Sequence, residues 1–471
     1  MKKIIVLTLL SALVFSAAAF AADTKEFSDK FGAKELAEIA RAVMQKAKSG
    51  SQSDSSNNGI TFGGKGVDIN KIIGAVNVLA QNNGNIGSLL GDGAAGQGLS
   101  ASAVSAVNGL TMKLYTELAE NDSNLFFSPY SISTALAMVY AGARGETAKE
   151  METALGFSPA LHGSMASLIG SLNSVSPEIA QLHTANAIWP AADKTILSDY
   201  RNRVATNYFS EITTLDYSKT ENARNIINKW VEEKTNGKIK DIVSRGAISA
   251  KTPLALTNAV YFKSDWQSKF ETAATKQADF HTAGGRTVKT NFMNQTGFFD
   301  YCKADGLELL ELPYKAERLS MYIILPENGK FSEIEKKLTS QQLDSLVAQA
   351  AGTNIRVSLP KFRLEENYDL NETLKKLGMV SAFGDKANFS GMNGLLDISI
   401  GVVLHKTFLD VYEAGTEAAA ATYVGMKSMA VRDEPKQFKA DRPFMFVIRD
   451  NTTGANIFAG RYMKPSTKYN E

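Results

Sequence analysis

The sequence holds a single cysteine, Cys302, among 471 residues, so no internal disulfide can form even in an oxidising compartment. That thiol reads as a buried structural group. Histidine is almost as scarce: His162, His183, His281 and His405 are the only four, and no H-E-x-x-H run contains them. A zinc hydrolase of that type is excluded. There is no G-x-S-x-G, so nothing marks a nucleophile elbow. An excess of charge of one sign is missing too. Lys plus Arg is 51 and Asp plus Glu is 49, for a net charge of +2 without a clustered basic stripe. A nucleic-acid partner is therefore not expected. Gly59 to Lys65 satisfies G-x-x-x-x-G-K, but Gly66 stands where a phosphate loop needs Ser or Thr, and no strand is expected before it. The stretch reads as linker. No metal or cofactor is expected.

What is present begins with a targeting segment. Lys2 and Lys3 precede the apolar run 4–15, and Ala19-Phe20-Ala21 fits a small-x-small cleavage rule. The run is too short to span a bilayer comfortably. Residues 1–21 are therefore expected to be a signal peptide, the mature chain to begin at Ala22 and be secreted or periplasmic, and no membrane to hold it afterwards. Residues 22–98 read as an N-terminal extension of small helices on Gly/Ser/Asn-rich joints: a helix over 23–48, a linker over 49–66, a helix over 67–81 and a loose stretch over 82–98. From Leu99 the texture changes. Val104, Val107, Leu110, Leu114 and Leu118 recur at helical spacing, and strand patterns follow at 319–325, 355–359 and 444–448. One mixed domain of about 365 residues is expected over 99–465, with a tail at 466–471.

Three segments carry a family resemblance. Asn124-Leu125-Phe126-Phe127-Ser128-Pro129-Tyr130-Ser131-Ile132-Ser133 is the first. Thr257-Asn258-Ala259-Val260-Tyr261-Phe262-Lys263-Ser264-Asp265-Trp266, followed by Phe270, is the second. Phe438-Lys439-Ala440-Asp441-Arg442-Pro443-Phe444-Met445-Phe446-Val447-Ile448 is the third. Together, in this order and spacing, they resemble the serpin family over 99–465. The resemblance implies an α+β fold of mixed β-sheets with surrounding helices and an exposed reactive loop. It also implies a monomer that inhibits serine proteases and is not an enzyme.

Glu413-Ala414-Gly415-Thr416-Glu417-Ala418-Ala419-Ala420-Ala421-Thr422 resembles the hinge of an inhibitory serpin's reactive loop, although Ala414 stands where many members carry an acidic residue. Alone, so much alanine reads as helix. Its place between the strand-like run 402–412 and the signature at Phe438 favours the loop. Period-two alternation puts Thr416, Ala418, Ala420, Thr422, Val424 and Met426 on one face, and every charge falls on the other. No proline interrupts from Glu413 to Glu434, so each N–H can join a ladder. The segment suits a strand with one dry face.

The family's spacing, counted from Glu413 as the first of seventeen residues, implies cleavage between Met429 and Ala430, with Lys427 and Arg432 as alternatives. Met429 would suit an apolar pocket of chymotrypsin-, elastase- or subtilisin-like type. The resemblance further gives Ser128, Ser131, Asn186 and His405 as a polar cluster beneath the centre of the opening sheet, and Trp266 as the residue under the point where the loop enters. No Lys or Arg occurs over 157–185, which argues against a heparin-type polyanion at the site where activated members bind it. The rival reading is a non-inhibitory serpin, a carrier or chaperone.

Overall fold

The computed structural model describes residues 59–62, 65–68, 93–119, 121–416 and 434–465. It begins with β1 (Gly59–Phe62), β2 (Lys65–Asp68) and a long helix, α1 (Gly93–Leu118). Next come β3 (Leu125–Phe127), α2 (Pro129–Tyr140), α3 (Gly145–Leu155), α4 (Leu161–Asn173), β4 (Ala180–Pro190), α5 (Ser198–Tyr208), α6 (Thr220–Lys234) and β5 (Leu254–Asp265). The middle supplies β6 (Lys276–His281), β7 (Thr287–Ala304), β8 (Leu307–Pro313), β9 (Leu319–Pro326), α7 (Phe331–Lys337), α8 (Ser340–Gln349), β10 (Ala351–Pro360), β11 (Phe362–Asp369), α9 (Asn371–Lys376) and α10 (Ser390–Asn393). The last strands are β12 (Val402–Tyr412), β13 (Gly415–Thr416), β14 (Lys436–Lys439), β15 (Phe444–Asp450) and β16 (Asn456–Tyr462).

The N-terminal reading needs correction. β1 and β2 pair antiparallel from Gly59↔Asp68 to Phe62↔Lys65, where a linker was expected. Gly63-Gly64 between two short runs is two-residue hairpin chemistry, a signal that the glycine content masked. β2 also takes Val67 and Asp68 from the expected helix over 67–81; the rest of that stretch, and 23–48, lie outside the described residues. α1 starts at Gly93, within the stretch read as loose, so the boundary at 98/99 falls inside a helix. Ala94 and Ala95 favour that helix, and farther along Ala103, Val107, Leu110 and Leu114 bury it.

Two compact units result, and α1 passes from one to the other at Ala103. In the first, α4 buries Leu161, Met165, Leu168 and Leu172, and α5 buries Tyr200, Val204 and Tyr208. The second holds both large sheets. One runs β14-β10-β7-β8-β9-β15-β16-β3, with β6 also on β7, and is antiparallel except where β14 meets β10. The other runs β11-β12-β13-β5-β4.

Sequence explains the strand order of this second sheet. β5 is buried almost throughout, as a run apolar on both sides must be in a strand covered on both faces. β11 instead alternates buried Phe362 and Leu364 with exposed Arg363 and Glu365, which suits an edge. On one face lies α2, every residue of which is buried. Its N-cap Ser128 accepts the Ser131 N–H, and Pro129 opens the first turn. On the other face α6 packs Ala223, Ile227 and Val231 against Ala187, Trp189, Ala255, Ala259, Val402 and Leu404. The fold is thus α+β, with a central sheet sandwiched between helices.

Candidate functional site

The centre of that sheet has a seam. β12 and β5 pair directly and in parallel from Val402↔Ala255 to Phe408↔Tyr261. Beyond Phe408 they part, and β13 fits between them, antiparallel to both. Its Thr416 faces Val411 and Ser264, and its Gly415 faces Tyr412 and Asp265. Only glycine fits there: a Cβ on Gly415 would come within 2.2 Å of the Ser264 carbonyl oxygen.

Halfway down the seam, register aligns Asn186, Asn258, His405 and Tyr368 in one row across four strands. The start of α2 brings Ser128 and Ser131 under it. The Ser128 N–H donates to His405 Nε2 at 3.0 Å, so the ring proton sits on Nδ1, which donates to Asn258 Oδ1. Asn258 Nδ2 donates to Ser131 Oγ and Asn186 Oδ1, each at 2.5 Å, and Ser131 Oγ donates to Asn186 Oδ1 at 2.8 Å. Ser128 Oγ donates to the Ile457 carbonyl at 2.7 Å. Ser128, Ser131, Asn186, Asn258 and His405 are all buried. A buried polar group left unpaired costs about 1–3 kcal/mol, and the bond from His405 Nδ1 to Asn258 Oδ1 is made only while β5 and β12 stay adjacent. A strand entering between them would separate Asn258 from His405.

At the upper end, a second cluster holds the turn into β13. Trp266 donates through Nε1 to the Tyr412 carbonyl and through its backbone to that of Ala414, both at 2.9 Å. Its ring stacks on Tyr314 at 4.5 Å, and the Tyr314 hydroxyl meets Thr416 Oγ1 at 2.9 Å. Glu413 pairs with Lys361 at 2.9 Å and accepts from Thr275 Oγ1 at 2.7 Å. Burial pushes the Glu413 carboxyl up, but Lys361 and Thr275 outweigh it and hold the group below its usual range.

Two groups on the inner face titrate in opposite senses. Burial draws His405 down from 6.5 to about 3, against a smaller upward pull from the Asn258 backbone. Burial, and then Glu365, pushes Glu366 on β11 up from 4.5 to about 7. The folded state therefore binds fewer protons at His405 below pH 6.5, and stability falls with falling pH. At Glu366 it binds more protons between 4.5 and 7, and stability rises with falling pH. The two slopes, each at most about 1.4 kcal/mol per pH unit, oppose one another over their shared window. Partial solvation of Glu366 narrows its share. Glu366→Gln should remove the offset. Urea unfolding of the intact variant should lose stability from near pH 6.5 downward, where the wild type stays nearly level to about pH 4.5. Identical pH profiles would show that the carboxyl is not held protonated.

Comparison with known proteins agrees with this geometry. A family profile described as Serpin (serine protease inhibitor) matches residues 105–465. An uncharacterized serpin-like protein of Thermococcus kodakarensis is 43% identical over 376 residues, 78% of this chain and 87% of the relative. The chain belongs to the serpin family. A leukocyte elastase inhibitor of Xenopus laevis is 37% identical to this serpin over 77% of the chain and 99% of the relative. The crystal structure of Serpin48, a highly specific serpin of the insect Tenebrio molitor, matches it with a TM-score of 0.71 and 32% identity, over 78% of this chain and 99% of that one.

In this serpin Ser128, Ser131, Asn186 and His405 come together at mid-seam, and Trp266, Glu413, Gly415 and Thr416 at its upper end. Glu417, Ala418, Ala419, Ala420, Ala421, Met429 and Ala430, with the alternatives Lys427 and Arg432, lie outside the described residues. The sequence reading passed over Asn258, Thr275, Tyr314 and Lys361. Asn258 had a signal, since an amide inside the apolar run of β5 must find partners. The other three had none, because only the topology brings them to Glu413 and Thr416.

Proposed function

We propose that this serpin is a suicide inhibitor of serine proteases, which traps the acyl-enzyme by drawing the cut segment into the seam between β5 and β12. The observation that carries this reading is β13, two residues of the segment already seated between those strands. Continuing its register places Ala418 between Phe262 and Leu409, Ala420 between Val260 and Thr407, and Thr422 between Asn258 and His405. Small side chains meet the core first. A hydroxyl then arrives where the polar row is parted and can take up its broken bonds. Glu417 and Lys427 fall on the opposite face.

The chemistry is that of the protease. Its serine hydroxyl attacks the Met429 carbonyl, the bond to Ala430 breaks, and the Ala430 amine leaves with the serine proton. Met429 remains as an ester on the protease, and insertion must outrun its hydrolysis by water. With residues 1–21 read as an export signal, the target lies outside the cytoplasm, and the residues from Ala22 to the start of α1 at Gly93 are an extension of the inhibitor. A carrier or chaperone would form no such ester.

Chymotrypsin and pancreatic elastase should each give a complex that survives denaturing electrophoresis, with release of a peptide beginning at Ala430. A peptide beginning at Ser428 or Asp433 would move the bond to Lys427 or Arg432, and the absence of any complex would reject inhibition. Met429→Arg should lose association rate with chymotrypsin and gain it with trypsin, each by about a hundredfold or more, because a buried guanidinium pairs only in a pocket built for it.

A further inference from the structure

On the face turned to α6, the rungs of the seam pair Val402 with Ala255, Leu404 with Thr257, Lys406 with Ala259 and Phe408 with Tyr261. Alanine or threonine stands on β5 at the first three, so little bulk meets across the gap. The fourth sets ring against ring, with centroids 6.5 Å apart and planes tilted by 42°. It is also the last rung. Beyond it β12 and β5 part, and β13 lies between them. The aromatic contact across this face thus sits at the fork.

Both rings are held from outside the seam. His183 of β4 lies directly opposite Tyr261 and stacks on it at 5.9 Å and 14°. Asn236, in the turn after α6, meets the His183 ring at 3.1 Å, and Lys238 brings its ammonium to 6.0 Å from the centre of the Tyr261 ring. On the other side, Arg363 of β11 lays its guanidinium 5.3 Å from the centre of the Phe408 ring, and Asp410 pairs with that guanidinium. Tyr261 is buried and Phe408 half-buried. Offset rings attract one another, and cations attract ring faces, through the ring quadrupole. His183, Tyr261, Phe408 and Arg363 therefore form one stack across four strands. Within it, the contact between Tyr261 and Phe408 is the one that crosses the seam. When β5 and β12 part, His183 and Tyr261 travel with β4 and β5, and Phe408 and Arg363 with β12 and β11. A strand between them adds about 4.8 Å, which takes the two rings out of contact.

We infer that Tyr261 and Phe408 are a clasp on the fork of the seam: their contact must break before a strand can enter from the upper end, and it sets how readily β5 and β12 part. The row through His405 and Asn258 lies three rungs lower, on the opposite face, and breaks later. Parting of the strands is a property of the intact chain and needs no protease. Its use in trapping rests on the inhibitor reading above.

Hydrogen exchange of the intact full chain, read by mass spectrometry on its fragments, tests this. In Phe408→Leu and in Tyr261→Leu, the fragments covering β5 and β12 should exchange about three- to tenfold faster than in the wild type. Those covering β8 and β9 should keep the wild-type rate. Leucine retains apolar bulk at each position and removes the ring. Two rings that act through one another are coupled, so the double variant should exchange no faster than the quicker single variant. Phe408→Tyr, which keeps a ring, should exchange as the wild type does. Unchanged exchange in both leucine variants would overturn the clasp. A rise shared by β8 and β9 would overturn it too, as would a double variant whose effect is the product of the two single ones, since either marks packing lost at separate places. Incubation of the same proteins with chymotrypsin and pancreatic elastase separates the two readings. The expected exchange pattern in a chain that traps neither protease would leave the clasp standing and reject its use in trapping.

Discussion

The serpin nicked between Thr422 and Met429 should melt at least about 10 °C above the intact chain. In the intact fold the seam is closed by a single parallel ladder, from Val402↔Ala255 to Phe408↔Tyr261. Parallel pairing is slightly weaker per residue than antiparallel pairing. Insertion replaces that ladder with two antiparallel ones, continuing the pairing that β13 has begun. It also buries Ala418, Ala420, Val424 and Met426, whose neighbours in that register include the buried Phe262, Leu409, Val260, Leu256 and Val403. The intact segment is anchored at both ends, by β13 in one sheet and by β14 in the other, so it cannot enter while β14 keeps its pairing with β10. The closed seam is then a kinetic trap. At roughly 2–4 °C per kcal/mol, the expected rise is a gain of a few kcal/mol. Calorimetry of intact and nicked protein measures it. An equal or lower melting temperature after cutting would rule out insertion.

Thr416→Arg should be cleaved like an ordinary substrate, with the protease released. Thr416 is fully buried, beside Ser264 and Val411, with its hydroxyl on Tyr314. No carboxylate faces it in that register. An unpaired buried guanidinium costs several kcal/mol. The intact fold can shed this cost by letting the two residues of β13 leave the sheet. The inserted state cannot, because the strand continues on both sides of the position. Insertion therefore slows while acylation proceeds at the exposed bond, and hydrolysis wins. The measurement is moles of inhibitor consumed per mole of protease trapped. It should rise about tenfold or more, since 1.4 kcal/mol on the insertion barrier alone is a factor of ten. Wild-type stoichiometry would show that Thr416 does not face the core as the strand enters.

Much of this fold was legible before any coordinates. The strand over Val402–Tyr412 has the bounds that its pattern suggests, and 319–325, 355–359 and 444–448 each lie inside an observed strand. α1 follows the spacing of Val107, Leu110 and Leu114. These are statements about period and polarity, which each stretch of chain carries within itself. The hairpin at β1 and β2 and the early start of α1 were obscured for a local reason: glycine content outweighed turn chemistry in one case and alanine propensity in the other.

Sequence by itself determined the alternation of the 416–426 segment, the polar residues embedded in apolar strands, and the three runs that resemble serpins. Tertiary structure alone decided what those residues do to one another. His405 and Asn258 meet across 147 positions, Thr275 and Glu413 across 138, and Tyr314 and Thr416 across 102. No local period encodes such distances. Sheet register sets them, and register depends on which strand lies next to which. The same holds for the seam. That β12 touches β5 directly, with two residues of β13 wedged at one end, is a choice between neighbours made by the whole sheet. A sequence able to form either pairing cannot say which one the intact chain adopts, because the two differ in strand order and not in the propensity of any residue.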